Sequence, residues 1–354
     1  MLDCTPKFSY TQYMLTLTKA SEETKEILKW GGLFLIGLVI SFILLQVFLF
    51  VKNMFFPTPP PKPTVSFGVL PYQTFPGNIT DKKLTYSLNT LTGFTPNLQG
   101  QTKVYKTVQP VSDLLALSRT QAMVRTIGFN SNPIALSSRT FEWSTSESKD
   151  IKIDIINHNF VFTYPYLNDQ GVLSASNLDV KQAIPVAQAM LSNMDLFSKD
   201  IDVSKTKVIS YSIKDGKLVP PTSLYDTQLA LVSFVQADID NLPVYYTDPS
   251  SSSMNFLVGS GKVLGGNFLH QTLAADYGTY PVKTSAQAYK DLQDGKGYIA
   301  KYYGSSSNIV IRNVFLAYYM SGNLQQYLMP IFVFQGDNGF YAYISAITDE
   351  WISK

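Results

Sequence analysis

The chain has 354 residues, of which 45% are hydrophobic and 15% are charged, and its formal net charge is +2. A charge this close to neutral excludes the strong positive field that nucleic-acid binding requires, so we predict no nucleic-acid partner. The single cysteine is Cys4, which precedes the longest apolar run. The residues after that run therefore have no disulfide, no thiol nucleophile and no cysteine-ligated metal.

The apolar run is Gly31–Val51, GGLFLIGLVISFILLQVFLFV, with Leu38 near its middle and Gln46 as one of few polar side chains. A helix rises about 1.5 Å per residue and the hydrocarbon core of a bilayer is about 30 Å thick, so this run is long enough to span it. Backbone polar groups in lipid must be satisfied within the segment, which predicts a transmembrane helix in contact with the lipid bilayer.

Residues 1–30 form a polar tail, in which Ser21 is predicted to cap a helix that continues into the membrane. The apolar run exceeds the roughly 7–15 residues of a signal-peptide core and no small-residue cleavage site follows, so we predict an uncleaved signal anchor. Lys19, Lys25 and Lys29 lie shortly before the run, whereas Lys52 and Lys62 follow it. This bias predicts a cytoplasmic N-terminus and C-terminal domains outside a bacterial inner membrane.

Residues 52–80 are predicted to be a proline-rich stalk, because Pro57–Pro63 reads PTPPPKP, which is typical of an extended polyproline spacer. We then predict two α+β domains, 81–200 and 201–354. Each is built from a helix followed by an antiparallel meander, and this unit occurs about three times.

The first unit has strands at 84–89 and 103–108, a helix over 112–129 capped by Ser112, and strands at 139–144, 149–156 and 159–164. The second has a helix over 178–196 capped by Asn177, and strands at 207–213, 228–238, 244–246, 254–258 and 263–271. The third has a helix over 285–294 capped by Thr284, and strands at 308–319, 327–335 and 340–347. Tight hairpins are predicted at Asn157-His158 and at Gly336-Asp-Asn-Gly339.

Several sequence patterns could form a binding or catalytic site, but each is interpreted as structural. Gly259-Ser-Gly-Lys262 lacks the residues of a phosphate loop, since Val263 follows the lysine, and strands on both sides favour a hairpin turn. His158 and His270 are too few for a metal site without cysteine, so we predict no metal and no cofactor. The acidic pairs Asp238/Asp240, Asp291/Asp294 and Asp349/Glu350 could be glycosidase carboxylates, but solvated turns and helix faces are favoured.

Tyrosines are concentrated in the last unit, and Tyr298, Tyr302 and Tyr303 are the candidates for an interaction surface. Aromatic residues at strand spacing usually pack a sheet, but exposed tyrosines are also used to bind proteins and glycans.

From about Thr227 onward the order of motifs is distinctive. The motifs are Ala230–Tyr245, Asn255–Val263, Tyr280–Leu292, Val314–Tyr319, Tyr327–Phe334 and Tyr341–Ala346. This part resembles the YycH/YycI-type regulators of bacterial sensor kinases and, more loosely, PepSY-like domains. The resemblance implies a short cytoplasmic tail, one membrane helix, an extracytoplasmic α+β body and no catalytic residues.

We therefore expect a non-enzymatic, single-pass regulatory or interaction protein of the bacterial cell envelope, with a protein partner in the membrane or envelope. The alternatives are an envelope-anchored hydrolase of cell-wall polymer and a structural component of an envelope assembly. A hydrolase would need a polar cleft that gathers His270 or acidic pairs from separate units.

Overall fold

The computed structural model describes residues 17–55, 61–80, 82–91 and 93–353. Contacts divide the chain into two compact units, Met1–Lys62 and Pro63–Lys354. The helices are α1 Leu17–Phe55, α2 Ala116–Arg125, α3 Gln170–Leu173, α4 Val180–Asn193 and α5 Ser285–Gln293. The strands are β1 Thr85–Leu88, β2 Gln101–Thr107, β3 Ile134–Ala135, β4 Thr140–Ser144, β5 Asp150–Asp154, β6 Phe160–Thr163, β7 Ile201–Lys214, β8 Lys217–Val219, β9 Leu229–Gln236, β10 Val244–Tyr246, β11 Met254–Gly259, β12 Lys262–Phe268, β13 Leu273–Pro281, β14 Tyr298–Lys301, β15 Asn308–Met320, β16 Tyr327–Gly336 and β17 Phe340–Ser345.

The first unit contains α1, which confirms the predicted apolar helix. Its segment Thr24–Lys52 has 29 residues and a mean hydropathy of 2.9, so it is long and apolar enough to cross a membrane. The side chains of this segment, including Leu38 and Gln46, are exposed on every face. The predicted cap at Ser21 is wrong, because the helix already includes Leu17.

Residues 63–80 belong to the second unit, so the predicted stalk over 52–80 is too long. The side chain of Leu70 is fully buried, its N–H donates to the carbonyl of Trp351 at 2.8 Å, and its carbonyl accepts from the N–H of Ser353 at 2.8 Å. Phe75 packs against the second face of the sheet that contains β16. This segment is apolar enough to cover part of the core, which a free spacer would not do. Residues 57–60 of the predicted spacer lie outside the described residues.

One sheet of the second unit has nine described strands in the order β3-β4-β5-β6-β12-β11-β9-β7-β8, and neighbouring strands are antiparallel. Alternate residues of β11 are buried, which places one face of the strand against the core. Buried residues of α2 and α4 join the same core, including Val124 and Leu191. One helix-covered face therefore stabilises this sheet.

The other sheet has eight described strands, with β15-β16-β17 as an antiparallel meander. β1 and β10 both pair with β15 in parallel. Leu328–Phe334 of β16 is buried on both faces, since Phe332 and Phe334 join the core under α5 while Ile331 and Val333 join the core on the opposite face. This explains why β16 reads as a continuous apolar run.

The α+β fold with helices followed by antiparallel strands is confirmed: α2 precedes β4–β6, α4 precedes β7, β9, β11 and β12, and α5 precedes β14–β17. Three strands predicted in the first two units, β1, β2 and β10, lie instead in the eight-stranded sheet. The boundary predicted between residues 200 and 201 does not separate the sheets, because β6 pairs with β12 across it. The predicted hairpins at His158, Ser260 and Asn338 are also present, and all three residues have positive φ.

In the second unit, two predicted helix caps are wrong and one is confirmed. α2 begins after Leu115 rather than Ser112, and α4 begins after Asp179, whose side chain accepts from the N–H of Lys181. Thr284 caps α5 in a reciprocal capping box with Gln287. The errors are of two or three residues, as expected where several polar residues precede a helix.

Gly266 of β12 provides a sharp test of strand packing. A Cβ at this position would lie 2.4 Å from the carbonyl oxygen of Asn255 in the adjacent strand, whereas a Cβ at Gly265 would lie 3.4 Å from the carbonyl of Phe162. We therefore expect Gly266→Ala to lower the free energy of unfolding by about 1–3 kcal/mol, and Gly265→Ala to change it by much less. Urea unfolding of both variants measures the difference, and equal stabilities would contradict this packing.

Candidate functional site

The three tyrosines proposed as an interaction surface lie in different environments. Tyr298 is 4% exposed and its ring stacks on Phe75 at a centroid distance of 5.6 Å, so its assignment to a surface is wrong. Tyr302 is partly buried and its hydroxyl donates to the carbonyl of Ser306 at 2.6 Å. Tyr303 is 77% exposed, with the Lys301 ammonium 4.8 Å from its ring centroid. The structure thus leaves only Tyr303 of the three well exposed.

The Gly259–Lys262 turn is a hairpin whose lysine is already paired. The Nζ of Lys262 lies 2.6 Å from a carboxylate oxygen of Asp169, and the hydroxyl of Tyr164 donates to the same oxygen at 2.7 Å. The hydrogen bond from Lys262, followed by that from Tyr164, lowers the pKa of Asp169 to about 2. Lys262 is therefore already paired with a carboxylate of the same chain, and we assign no phosphate site here.

In each of the predicted acidic pairs, at least one carboxylate is paired with a lysine. Asp238 and Asp240 pair with different partners, Lys205 at 2.6 Å and Lys103 at 2.9 Å. A third cluster has Lys283 at 2.8 Å from Asp291 and at 2.7 Å from Asp349, with Lys296 at 2.8 Å from Asp291. Each of these carboxylates is thus part of a surface or partly buried ion pair, which is the arrangement expected of structural charges.

The two histidines differ in their surroundings. His158 lies at the predicted turn, where burial and then the charge of Arg119 lower its pKa. Its Nε2 is buried without a hydrogen-bond partner among the described residues. His270 follows β12, and its Nε2 lies 3.0 Å from both carboxylate oxygens of Asp200. The structure therefore brings one of the two histidines into an acid–histidine pair.

His270 of this pair lines a cavity of about 480 Å³, together with Lys199 and Phe268. The His270 side chain is 9% exposed and that of Asp200 is 40% exposed. Gln236 donates its amide to Asp200 at 2.9 Å. Burial alone would raise the pKa of Asp200, but the hydrogen bond and charge of His270, with the bonds from Ser198 and Gln236, hold it well below its usual range.

Asp200 was not among the candidates identified from the sequence. It lies 70 residues from His270, and the two are joined by pairing of β7 with β9 and of β9 with β11 rather than by any local motif. No pattern within a short window of sequence indicates such a pair.

Another cavity has a volume of about 630 Å³ and lies between segment 71–76 and the connection from β15 to β16. Its aromatic lining residues are Tyr72, Phe75, Tyr319 and Tyr327. Its amide and hydroxyl lining residues are Gln73, Thr74, Thr247, Ser321, Asn323, Gln325 and Gln326. Within the part of the chain that the structure describes, no Asp, Glu, Lys, Arg or His lines it, whereas four other cavities each contain charged residues.

The wall of this neutral cavity is held by side-chain amides. The Gln325 amide donates to the carbonyls of Tyr319 and Tyr327, each at 3.0 Å, and its oxygen accepts from the N–H of Ser321 at 2.9 Å. Gln73 is 4% exposed, and its Oε1 has no hydrogen-bond partner among the described residues. The loop at 321–326 is thus ordered by Gln325, while Gln73 keeps an unused acceptor in the wall.

Gln271 connects this loop to the acid–histidine pair. Its amide donates to the carbonyl of Asn323 at 3.0 Å, and its Oε1 accepts from the N–H of Gln325 at 2.9 Å. The backbone carbonyl of Gln271 accepts from Gln236 at 3.3 Å, and Gln236 also bonds Asp200. A continuous set of hydrogen bonds therefore lies between the two cavities.

Among residues 24–52 and the described side chains of the second unit, no group of three or more His, Cys, Asp or Glu is placed to hold a metal ion. The expectation that the protein uses no metal or cofactor stays a prediction.

Comparisons with known proteins identify no family for this chain. No protein-family model matches the sequence, and no curated protein matches it. A solved structure described as an uncharacterized protein from Eubacterium rectale ATCC 33656 has 13% sequence identity and a TM-score of 0.42. The similarity covers 77% of this chain and 85% of that chain. At this TM-score it says nothing about function, and the resemblance to YycH/YycI and PepSY-like proteins stays a prediction.

The low pKa of Asp200 predicts a loss of stability in acid. Because the pKa is lower in the folded than in the unfolded state, the stabilisation is present above the unfolded value of about 3.9 and is lost as pH falls below it. In Asp200→Asn this part of the acid dependence should disappear. We expect a difference of about 1 kcal/mol, since solvent screens a side chain that is 40% exposed.

Urea unfolding between pH 7 and pH 3 measures this difference. Asp195→Asn is the matched control, because Asp195 lines the same cavity without a hydrogen bond to His270. An Asp200→Asn variant with the acid dependence of the unsubstituted protein would show that the pair contributes nothing.

Proposed function

We propose that this is a membrane-anchored, extracytoplasmic binding protein of the bacterial cell envelope, with an interaction or regulatory role rather than catalysis. The observation that carries the proposal is the Thr24–Lys52 segment, whose apolar side chains are exposed on every face. Such a helix buries its surface best in lipid. Lysines enriched before the apolar run favour a cytoplasmic N-terminus, which places the second unit outside.

The chemistry of the second unit supports binding. The carboxylates of Asp169, Asp240 and Asp291 are each held by a lysine at 2.6–2.9 Å. A general acid or base must be free to exchange a proton with a substrate, and an ion-paired carboxylate with a depressed pKa is poorly suited to that role. The neutral cavity offers hydrogen-bonding and aromatic groups without such a group, as a binding site would.

One observation favours an envelope hydrolase as a second candidate. His270 and Asp200 form a pair at 3.0 Å beside a cavity of about 480 Å³, and a histidine oriented by a carboxylate is the base of many hydrolases. Among the described residues, however, no hydroxyl forms a hydrogen bond with the His270 ring, so the nucleophile of a triad has no counterpart here.

The anchor and its orientation are tested with the natural cysteine. We expect the protein to stay in the membrane fraction after an alkaline carbonate wash. In intact cells, a membrane-impermeant maleimide should label Cys4→Ser/Ser138→Cys, because Ser138 is exposed in the turn before β4, and should label Cys4 of the unsubstituted protein only after permeabilisation. Release by carbonate would contradict the anchor, and the opposite labelling pattern would contradict the orientation.

Catalysis is tested by incubating the purified full chain in detergent with cell-wall polymer and measuring released reducing ends. A binding protein should release none above a blank without protein. The hydrolase candidate requires release that falls about a hundredfold or more in His270→Gln and Asp200→Asn but persists in His158→Gln, since removing a general base commonly costs about 10²–10⁴ in rate. That second result would overturn the binding proposal.

A further inference from the structure

We propose that the neutral cavity of about 630 Å³ is a binding site for a neutral oligosaccharide. The inference rests on the proposed function, because it names the class of ligand that a binding protein of the envelope would take. The cavity was not identified from the sequence, since segment 71–76 and the connection from β15 to β16 are nearly 250 residues apart.

The absence of charge in the cavity wall restricts the chemical class of the ligand. No charged side chain lines the cavity among the described residues, although Lys and Asp are present in the walls of the other cavities. An ionised ligand would lose hydration on entry and would meet no opposite charge. Phosphates, nucleotides, acidic sugars and free amino acids are therefore disfavoured here.

The hydrogen-bonding groups restrict it further. The side chains of Thr74 and Gln326 are exposed in the wall, and Gln73 lies between Tyr72 and Thr74 with a buried Oε1 that lacks a partner among the described residues. Side-chain amides and hydroxyls both donate and accept, and so do the hydroxyl groups of a sugar. A purely apolar ligand such as a lipid chain would cover these groups without pairing them, which is unfavourable.

Aromatic rings provide the complementary apolar surface. Tyr72 is 64% exposed at the rim, and Phe75 packs against Tyr319 at a centroid distance of 4.9 Å in the wall. A sugar ring presents apolar C–H groups on its faces and hydroxyls at its edge. A flat tyrosine ring therefore covers a sugar face while the amides reach its edge.

The size and opening of the cavity favour a short chain. Its volume lies within the range of about 300–1,000 Å³ that small-molecule sites occupy. Gly322, Asn323 and Gln326 at its rim are exposed, so a bound chain can extend into solvent. A folded protein partner would instead need about 800 Å² of contact on each side, which a concave site of this size does not offer.

Binding is tested by isothermal titration calorimetry on the full chain, in a detergent without a sugar headgroup such as octaethylene glycol monododecyl ether. The probes are the neutral tetramers of N-acetylglucosamine and of β-1,4-glucose, with the acidic tetramer of galacturonate for comparison. We expect at least one neutral tetramer to bind, and to bind at least about tenfold more tightly than the acidic one.

The site is located with Tyr72→Ala, whose side chain is exposed and whose loss should leave the fold intact. We expect binding to weaken about tenfold, because one face of the ring no longer covers the sugar. Tyr225→Ala is the matched control, since Tyr225 is 66% exposed and lies in the turn before β9, away from this cavity. Gln326→Ala gives an independent second variant in the wall.

Each result decides the proposal. It is overturned if neither neutral tetramer gives a heat of binding up to about 10 mM. It is also overturned if the acidic tetramer binds as well as the neutral ones, or if Tyr72→Ala and Gln326→Ala bind as the Tyr225→Ala control does. Binding in detergent does not depend on the membrane, so a failed maleimide test with retained sugar binding would overturn the proposed orientation alone, and a failed carbonate test with retained sugar binding would overturn the anchor alone.

Discussion

Both cavities depend on one buried side chain, the carboxamide of Gln271, which is 4% exposed. Gln271 lies in the connection from β12 to β13, where the chain passes from the nine-stranded sheet to the eight-stranded one. Its donor and its acceptor both bond the loop between β15 and β16, at Asn323 and Gln325. Leu324 of this loop lines both cavities, so the position of one amide determines the shape of two sites. Leaving such a buried amide unpaired would cost about 1–3 kcal/mol, which fixes the loop strongly.

The sequence predicts those parts of the fold that local chemistry decides. The Asp-Asn-Gly turn and the Gly-Ser-Gly turn specify hairpins. Each places its central residue, Asn338 or Ser260, at positive φ. The capping box at Thr284 specifies the start of α5. Pairing of β6 with β12 and burial of Leu70 against the C-terminus are not local, since they join residues that are about 100 and 280 positions apart. A short stretch of sequence does not show which sheet a meander joins. The predicted domain boundary at residues 200 and 201 and the predicted end of the stalk at residue 80 are therefore wrong.

Local sequence is equally limited in predicting which side chains of the candidate site are buried. The sequence makes Tyr298 a candidate for an interaction surface because exposed tyrosines bind proteins and glycans, but a tyrosine whose hydroxyl finds a carbonyl can be buried. Tyr298 donates to the carbonyl of Thr247 at 3.2 Å, and Tyr343 donates to that of Tyr246 at 3.0 Å. Composition can show that tyrosines are concentrated in the last unit, but not which hydroxyls find a backbone partner. The neutral cavity is not predicted from the sequence for a related reason. Its lining residues are scattered along the chain, and the absence of charged residues among them forms no motif.

The contrast between the two cavities bears on function. The cavity at His270 holds a titratable pair whose carboxylate is stabilised in its ionised form by three neighbours, so the pair is better arranged to hold β12 against the start of β7 than to take protons from a substrate. The larger cavity has no carboxylate, lysine, arginine or histidine among its described lining residues, but it has aromatic rings, hydroxyls and side-chain amides. Recognition needs complementary surface and paired polar groups, whereas proton transfer needs a group whose pKa is near the working pH. The acidic groups of the second unit that pair with lysines are arranged as structural ion pairs, whereas the neutral cavity offers hydroxyls, amides and aromatic rings. This contrast supports the proposal of a binding function.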